Sequence, residues 1–202
     1  ISMGNYKDSG LVVGGTAAAG LGVTGTFNNV APPERLATIT AANDSQFKAN
    51  SVQGGAITVY ASNGAPTNVI VRWAKVDSAA SGGEETWNMF YMSDATAENG
   101  ETMWTNLGQD YTFDASGALK QPGVSEVAID NLVVNGVAVG PVTIKHGVDG
   151  MTQFNDVNGT VNTSTLNQNG YGAGEFVSVA INDSGRVVAT YSNGERIEMA
   201  QV

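Results

Sequence analysis

Residues 57–73 read ITVYASNGAPTNVIVRW, and this stretch decides the predicted fold class. Apolar side chains recur at every second position on both sides of an Asn-Gly pair: Ile57 and Val59 before Asn63-Gly64, and Val69, Val71 and Trp73 after it. A period of two is typical of a half-buried β-strand. Asn and Gly both tolerate a positive φ, which suits the two-residue turn of a hairpin. The stretch therefore predicts two antiparallel strands joined at Asn63-Gly64.

The same combination of alternating strands and turn residues recurs along the chain. Three further runs each place apolar side chains on one face: Trp87, Met89 and Tyr91; Val177, Val179 and Ile181; and Val187, Ala189 and Tyr191. Asn135-Gly136 and Asn193-Gly194 predict further hairpins, and Asp183-Ser184-Gly185 predicts a slightly longer turn. The one helix candidate is residues 33–42, which carry a proline near the first turn. The chain is therefore predicted to be all-β with little helix.

The composition of the 202 residues excludes several classes of protein. The chain contains no cysteine, which excludes disulfides, cysteine-ligated zinc, iron–sulfur clusters and thiol catalysis. Its net charge of -10 argues against nucleic acid and anionic membranes as partners. The most apolar stretch, residues 11–23, is interrupted by glycines and is too short for a membrane-spanning helix. The same stretch makes a poor signal peptide, because Asp8 lies where positive charge is expected.

Candidate catalytic and ligand-binding groups are few. His146 lies near Asp149, but no nucleophile accompanies this pair. Residues 156–159 resemble part of a calcium-binding loop and lack the distal glutamate that such a loop needs. The glycine-rich residues 10–25 lack the Lys-Ser/Thr ending of a phosphate-binding loop. The chain is therefore predicted not to be an enzyme, with no catalytic, cofactor-binding or metal site.

The aromatic side chains of the middle section allow two interpretations. Trp73, Trp87 and Trp104, with Tyr60, Tyr91 and Phe90, either line a carbohydrate groove or fill the core of a sandwich. Trp73 and Trp87 lie on the apolar faces of predicted strands, which favours the core.

Motifs between residues 152 and 194 resemble the bacterial flagellar hook protein (FlgE) family in order and spacing. They are a Thr-Gln-Phe element (Thr152, Gln153 and Phe154), a Gln-Asn-Gly-Tyr turn with a following glycine (Gln168, Asn169, Gly170, Tyr171 and Gly174) and a Tyr-Ser-Asn-Gly turn (Tyr191, Ser192, Asn193 and Gly194). The first hairpin and the Phe-Asp-x-x-Gly turn at residues 113–117 also resemble the outer domain of this family. Ala61 departs from the pattern, since the family usually has aspartate there. Residues 1–50 lie outside the resemblance.

The resemblance implies two β domains, sandwich-like or barrel-like, with an outer domain inserted in or adjoining a smaller inner domain. We expect the outer domain at residues 51–146 and the C-terminal portion of the inner domain at residues 147–202. The uncertain strand-and-loop segment 1–50 is assigned to the outer domain. Subunits of the hook family share terminal helices with heptad-like repeats. This sequence shows no such repeats. It therefore resembles a fragment without those helices, and we expect it to be monomeric alone.

The resemblance also implies a mechanical function in motility. A hook subunit is the structural protein of a homopolymer, the flexible tube that transmits motor torque to the flagellar filament. Its implied partners are copies of itself and the hook cap, rod and hook–filament junction proteins. Its implied location is extracellular, after type III export without a cleaved signal peptide. Two alternatives stay open: a secreted carbohydrate- or calcium-binding β-sandwich module, and a related flagellar rod or junction protein.

Overall fold

The computed structural model describes residues 2–4, 38–77, 84–147, 150–154 and 161–201. Its strands are β1 (Ser2–Gly4), β2 (Thr38–Thr40), β3 (Val52–Tyr60), β4 (Pro66–Asp77), β5 (Thr86–Met92), β6 (Thr102–Phe113), β7 (Leu119–Gln121), β8 (Glu126–Val134), β9 (Val137–Lys145), β10 (Thr152–Phe154), β11 (Val161–Asn162), β12 (Phe176–Ile181), β13 (Arg186–Tyr191) and β14 (Arg196–Gln201). A 3₁₀ turn at Ala41–Asn43 leads into the short helix α1 (Asp44–Ala49). The predicted all-β class is confirmed.

The largest sheet is antiparallel, with the strand order β2-β6-β5-β4-β3 and with β7 paired to the end of β6. The predicted hairpin at Asn63-Gly64 is confirmed, because β3 and β4 pair from Tyr60 opposite Pro66 onwards. The hairpin at Asn135-Gly136 is confirmed as well, and it joins β8 to β9. Both of its turn residues have a positive φ, as a type I′ turn requires.

One face of the large sheet packs against the β8–β9 hairpin. Trp73, Trp87 and Tyr111 project from β4, β5 and β6 into a core that also contains Val127 of β8. A second cluster, built around Val69, continues this core between β4 and the hairpin. Trp73 and Trp87 are both 0% exposed, which confirms the core interpretation. These rings are therefore unavailable to stack on a sugar.

The opposite face of the large sheet packs against α1. Phe47 of α1 lies with its ring centroid 5.0 Å from that of Phe90 and 5.2 Å from that of Trp104. The prediction of a helix over residues 33–42 is wrong at residues 38–40, which form β2, whereas residues 41 and 42 belong to the 3₁₀ turn; residues 33–37 lie outside the described residues. β-branched residues favour strands, and β2 gains backbone hydrogen bonds by pairing with β6. Tertiary pairing thus outweighs the local helix signal.

A buried arginine fastens α1 to the sheet. Nη2 of Arg72 donates to the carbonyl oxygens of Lys48 and Ser51 at 2.9 and 2.7 Å. Its Nε donates to Oγ of Ser51 at 2.7 Å, and that hydroxyl donates to the carbonyl of Phe47 at 2.6 Å. The carbonyls at the end of a helix have no partner within the helix. Arg72 therefore satisfies groups at the end of α1 and orients the helix on β4.

The C-terminal strands form a separate antiparallel sheet with the order β12-β13-β14. The predicted turn at Asp183-Ser184-Gly185 joins β12 to β13, and the predicted hairpin at Asn193-Gly194 joins β13 to β14; both are confirmed. A further small sheet has the order β10-β1-β11, in which β1 runs parallel to β10. We refer to β12–β14 below as the C-terminal meander.

Candidate interaction site

An open cleft of about 540 Å³ lies where the C-terminal meander meets the β3–β4 hairpin. Three segments form it: the β3–β4 turn, the loop of residues 170–174, and the β13–β14 turn with the start of β14. The lining residues are Tyr60, Ala61, Ser62, Asn63, Gly64, Gly170, Tyr171, Gly172, Ala173, Gly174, Tyr191, Asn193, Glu195 and Ile197. The volume falls within the range of about 300 to 1,000 Å³ that is usual for ligand pockets.

The loop 170–174 lies close against the β3–β4 hairpin. The backbone N–H of Ala173 donates to the carbonyl of Gly64 at 3.3 Å. A Cβ built at Gly64 would lie only 2.3 Å from the nitrogen of Ala173. A Cβ at Gly170 or Gly172 would lie 3.3 or 3.4 Å from the ring of Tyr60. Glycine therefore allows the two backbones to approach this closely at Gly64.

The β13–β14 turn holds the other side of the loop. Nδ2 of Asn193 donates to the carbonyl of Gly172 at 2.7 Å, and its Oδ1 accepts from the N–H of Glu195 at 3.1 Å. The N–H of Ser192 donates to the carbonyl of Glu175 at 2.8 Å, and the N–H of Glu175 donates to Oγ of Ser192 at 2.9 Å. The asparagine side chain thus shapes its own turn and also binds the loop.

The structure brings many of the motif residues together at this cleft. Gly170, Tyr171, Gly174, Tyr191 and Asn193 line it. Gln168 and Ser192 do not line it but hydrogen-bond to the chain around it: Oε1 of Gln168 accepts from the N–H of Gly170, and Oγ of Ser192 accepts from the N–H of Glu175. The N–H of Gly194 closes the β13–β14 turn by donating to the carbonyl of Tyr191 at 3.0 Å. Asn169 is exposed beside these residues.

Ala61, the position that departs from the family pattern, is buried in the β3–β4 turn. Its N–H donates to the carbonyl of Ala65 at 2.9 Å, and its carbonyl accepts from Gly64 at 2.8 Å. Oδ1 of Asn63 accepts from the N–H of Ala65 at 3.0 Å. The asparagine and the backbone therefore close this turn without an aspartate at position 61.

The Thr152–Phe154 element lies elsewhere and does not line the cleft. As strand β10 it pairs with β1, and the N–H of Gln153 donates to the carbonyl of Gly117 at 2.9 Å. Thr152 also forms an isolated bridge with Ala118. The element therefore ties the N-terminal strand to the Asp114–Gly117 turn, and the motif residues occupy two locations rather than one.

Asp114 organises that second location through its carboxylate. Oδ1 accepts from the Ser116 hydroxyl at 2.6 Å, from the Ser116 N–H at 2.8 Å and from the Ala118 N–H at 3.1 Å. These hydrogen bonds, led by the one from the Ser116 hydroxyl, lower the pKa of Asp114 below its ordinary value of 3.8. The charged carboxylate is thus the form that stabilises the turn.

We expect acid to loosen this turn. Because the folded-state pKa of Asp114 is lowered, its stabilisation is present above the unfolded pKa and is lost as the pH falls through the folded pKa. Amide protection factors of Ser116 and Ala118, measured by NMR from neutral pH down through the folded-state pKa of Asp114, should fall as this carboxylate is protonated. In Asp114→Asn the step should vanish, while the Thr96 amide, which donates to Asp94, should behave as in the parent chain. An identical step in both proteins would contradict the assignment.

Residues with possible catalytic or metal chemistry do not assemble into a site in the described part of the chain. Nδ1 of His146 lies 2.9 Å from the carbonyl of Gly147, and its ring packs edge-on against Tyr111 with centroids 5.8 Å apart. Burial raises the pKa of Tyr111, which keeps its hydroxyl protonated. Asp149, residues 156–159 and residues 10–25 lie outside the described residues. Where the structure describes the chain, no group of three or more acidic or histidine side chains is arranged for a metal ion.

The sequence did not single out every residue of the cleft. Glu195 and Ile197 line it, and neither is predicted as a site residue; Tyr60 also lines it, and the sequence offers Tyr60 only as one of several aromatic residues for a groove or a core. Tyr60 follows the alternation of β3, and Glu195 and Ile197 adjoin an Asn-Gly turn, which are ordinary local features. Only their convergence in space distinguishes them. Separately, none of the described helices is long and apolar enough to cross a membrane.

Comparisons with known proteins point to the same flagellar family as the motifs. A family model described as the flagellar basal body protein FlaE D2 domain matches residues 27–171. The flagellar hook protein FlgE of Escherichia coli is 26% identical over 183 residues, which cover 87% of this chain and 39% of that protein. The flagellar hook protein FlgE of Salmonella typhimurium is 28% identical over 148 residues, covering 73% of this chain and 33% of that protein. The chain thus spans well under half the length of these relatives.

Proposed function

Because the chain belongs to the flagellar hook protein FlgE family, we propose that it is a structural subunit of a bacterial flagellar hook. In this role it forms part of the flexible tube that transmits motor torque to the filament, and it performs no catalysis. The observation that carries the proposal is the family match over residues 27–171. The hook proteins of two bacteria support it, since most of the chain aligns with each.

The architecture suits a load-bearing subunit. A sheet held by a ladder of hydrogen bonds and covered on both faces is stiff, because close-packed interiors have low compressibility. Charged residues make up only 14% of the chain, and its surface turns are rich in Asn, Gly, Ser and Thr. Such small polar groups make hydrated contacts that re-form as neighbouring subunits slide. Stiff subunits with exchangeable contacts are what a bending tube requires.

The proposed role also implies a domain organisation and a set of partners. Residues 51–146 form the outer domain, residues 147–202 the C-terminal portion of the inner domain, and residues 1–50 join the outer domain. The partners are copies of this chain in a helical homopolymer, together with hook cap, rod and hook–filament junction proteins. The location is the extracellular hook, reached by type III export without a cleaved signal peptide.

Immunoelectron microscopy tests the proposed function directly. Antibodies raised against this chain should label the curved segment between rod and filament on flagella isolated from the bacterium that encodes it. A strain with the gene deleted should show no label and should not swim. Label confined to the rod or to the junctions would favour the related axial proteins instead. Label absent from the flagellum altogether would contradict the proposal.

A further inference from the structure

Arg196 differs from the other basic side chains that the structure describes. Five basic residues each form an ion pair with a carboxylate: Lys48 with Asp44, Lys75 with Glu85, Lys120 with Glu84, Lys145 with Glu126, and Arg186 with Glu198. Arg72 is buried and donates to backbone carbonyls. Arg196 is exposed at the start of β14, and no carboxylate among the described residues pairs with it.

The cleft has the complementary chemistry. Three tyrosines line it, and Tyr171 is 51% exposed. Glu195 lines the same cleft, and its carboxylate has no ion-pair partner in the described part of the chain. Aromatic faces attract cations through their negative π surface, and arginine is the cation most often found there. A planar guanidinium also matches a carboxylate in geometry. The cleft therefore suits a guanidinium group.

Arg196 points away from the cleft of its own chain. Neighbouring side chains of a strand point to opposite faces of the sheet. Ile197, whose register partner on β13 is Ala189, lines the cleft. The preceding residue, Arg196, has Thr190 as its register partner, and its side chain therefore lies on the other face of the sheet. Arg196 and the cleft thus occupy opposite sides of the C-terminal meander. A chain cannot fill its own cleft with this side chain, but a second copy can.

We propose that Arg196 of one copy inserts its guanidinium into the tyrosine-lined cleft of the next copy, against Glu195. This inference rests on the proposed function and names one contact of the polymer. Because donor and acceptor lie on opposite faces, the contact is heterologous, and a heterologous contact that does not close into a ring generates an open helical array. The contact places a positive group in an acidic cleft of a chain whose net charge is -10, so it offsets part of the repulsion between copies.

Charge reversal on each side of the contact tests the proposal. We expect the chain alone to be monomeric at micromolar concentration, and weak self-association of the parent chain in the millimolar range should be measurable by NMR and sedimentation equilibrium. Glu195→Arg and Arg196→Glu should each weaken self-association about tenfold. An equimolar mixture of the two variants should restore association to within about twofold of the parent value, because each cleft then meets a side chain of opposite charge.

The exposed pair Glu126 and Lys145 provides matched controls. Glu126→Lys and Lys145→Glu change the net charge by the same amounts, and neither residue lines the cleft. In each of these single variants, self-association should change only as the net charge changes. Mixing the two should not restore self-association beyond this charge effect. Equal behaviour of both pairs would overturn the proposal, as would a parent chain that stays monomeric in the millimolar range. Immunoelectron labelling of the hook together with either result would retain the proposed function and reject only this contact.

Discussion

Replacing Trp73 by alanine is expected to lower the free energy of unfolding by about 4 kcal/mol. Trp73 is fully buried, and its ring meets Tyr111 edge-on with centroids 4.9 Å apart. Met89 lies opposite it on β5, and Trp87 belongs to the same cluster. Removing an indole from this position leaves a large cavity, because the surrounding strands are held in register by their hydrogen bonds. The loss combines the transfer free energy of the ring with the cost of that cavity.

Urea unfolding followed by circular dichroism measures this loss. Ile70→Ala is the matched control, since Ile70 lies on the same strand, is 37% exposed and faces the other way. Ile70→Ala should lower the free energy of unfolding by well under half as much as Trp73→Ala does. A Trp73→Ala protein destabilised by less than about 1 kcal/mol would show that the ring does not organise the core.

Replacing Gly64 by alanine is expected to destabilise the chain by about 3 kcal/mol and to release the loop 170–174. Gly64 has a φ of +76°, which costs a residue with a Cβ about 1 to 2 kcal/mol. The new Cβ would also lie 2.3 Å from the nitrogen of Ala173 and 2.6 Å from its Cβ. Backbone atoms cannot rotate out of the way as a long side chain can. The loop must therefore move, and its hydrogen bond to Gly64 is lost.

Gly136→Ala separates these two causes. Gly136 lies in the β8–β9 turn with a nearly identical φ of +75°, and a Cβ there would meet nothing within 4 Å. Gly136→Ala should therefore lose only the stability that a positive φ costs a residue with a Cβ. Hydrogen exchange at the Ala173 amide should accelerate in Gly64→Ala and stay unchanged in Gly136→Ala. Equal destabilisation of the two proteins, with the Ala173 amide protected in both, would show that the close approach carries no strain.

Elements that depend on neighbouring residues were predictable from the sequence. The hairpins at Asn63-Gly64, Asn135-Gly136 and Asn193-Gly194 follow from alternating side chains around residues that accept a positive φ. The buried positions of Trp73 and Trp87 follow from the same alternation. In each case the signal lies within about ten residues, which is the range over which backbone propensity and hydrophobic period act.

Other elements required partners that are distant along the chain. Residues 38–40 form a strand because β6 is available to pair with them; their β-branched side chains favour a strand locally but do not identify its partner. The helix α1 has only six residues, too few to be stable alone, and depends on Arg72 and on the rings of Phe90 and Trp104. The cleft residues Tyr60 and Glu195 also meet only in the tertiary structure, because they are distant along the chain.

The sequence by itself determined the strands, their turns, the inward-facing tryptophans and, through the motifs, the resemblance to hook proteins. The tertiary structure decided which strands are neighbours, that both faces of the large sheet are covered, and that the β3–β4 turn and the β13–β14 turn meet across the loop 170–174. The physical reason is that strand and turn formation depend on local φ preferences and a period of two. The approach of Gly64 to Ala173, and of Asn193 to Gly172, depends instead on the packing of the whole chain.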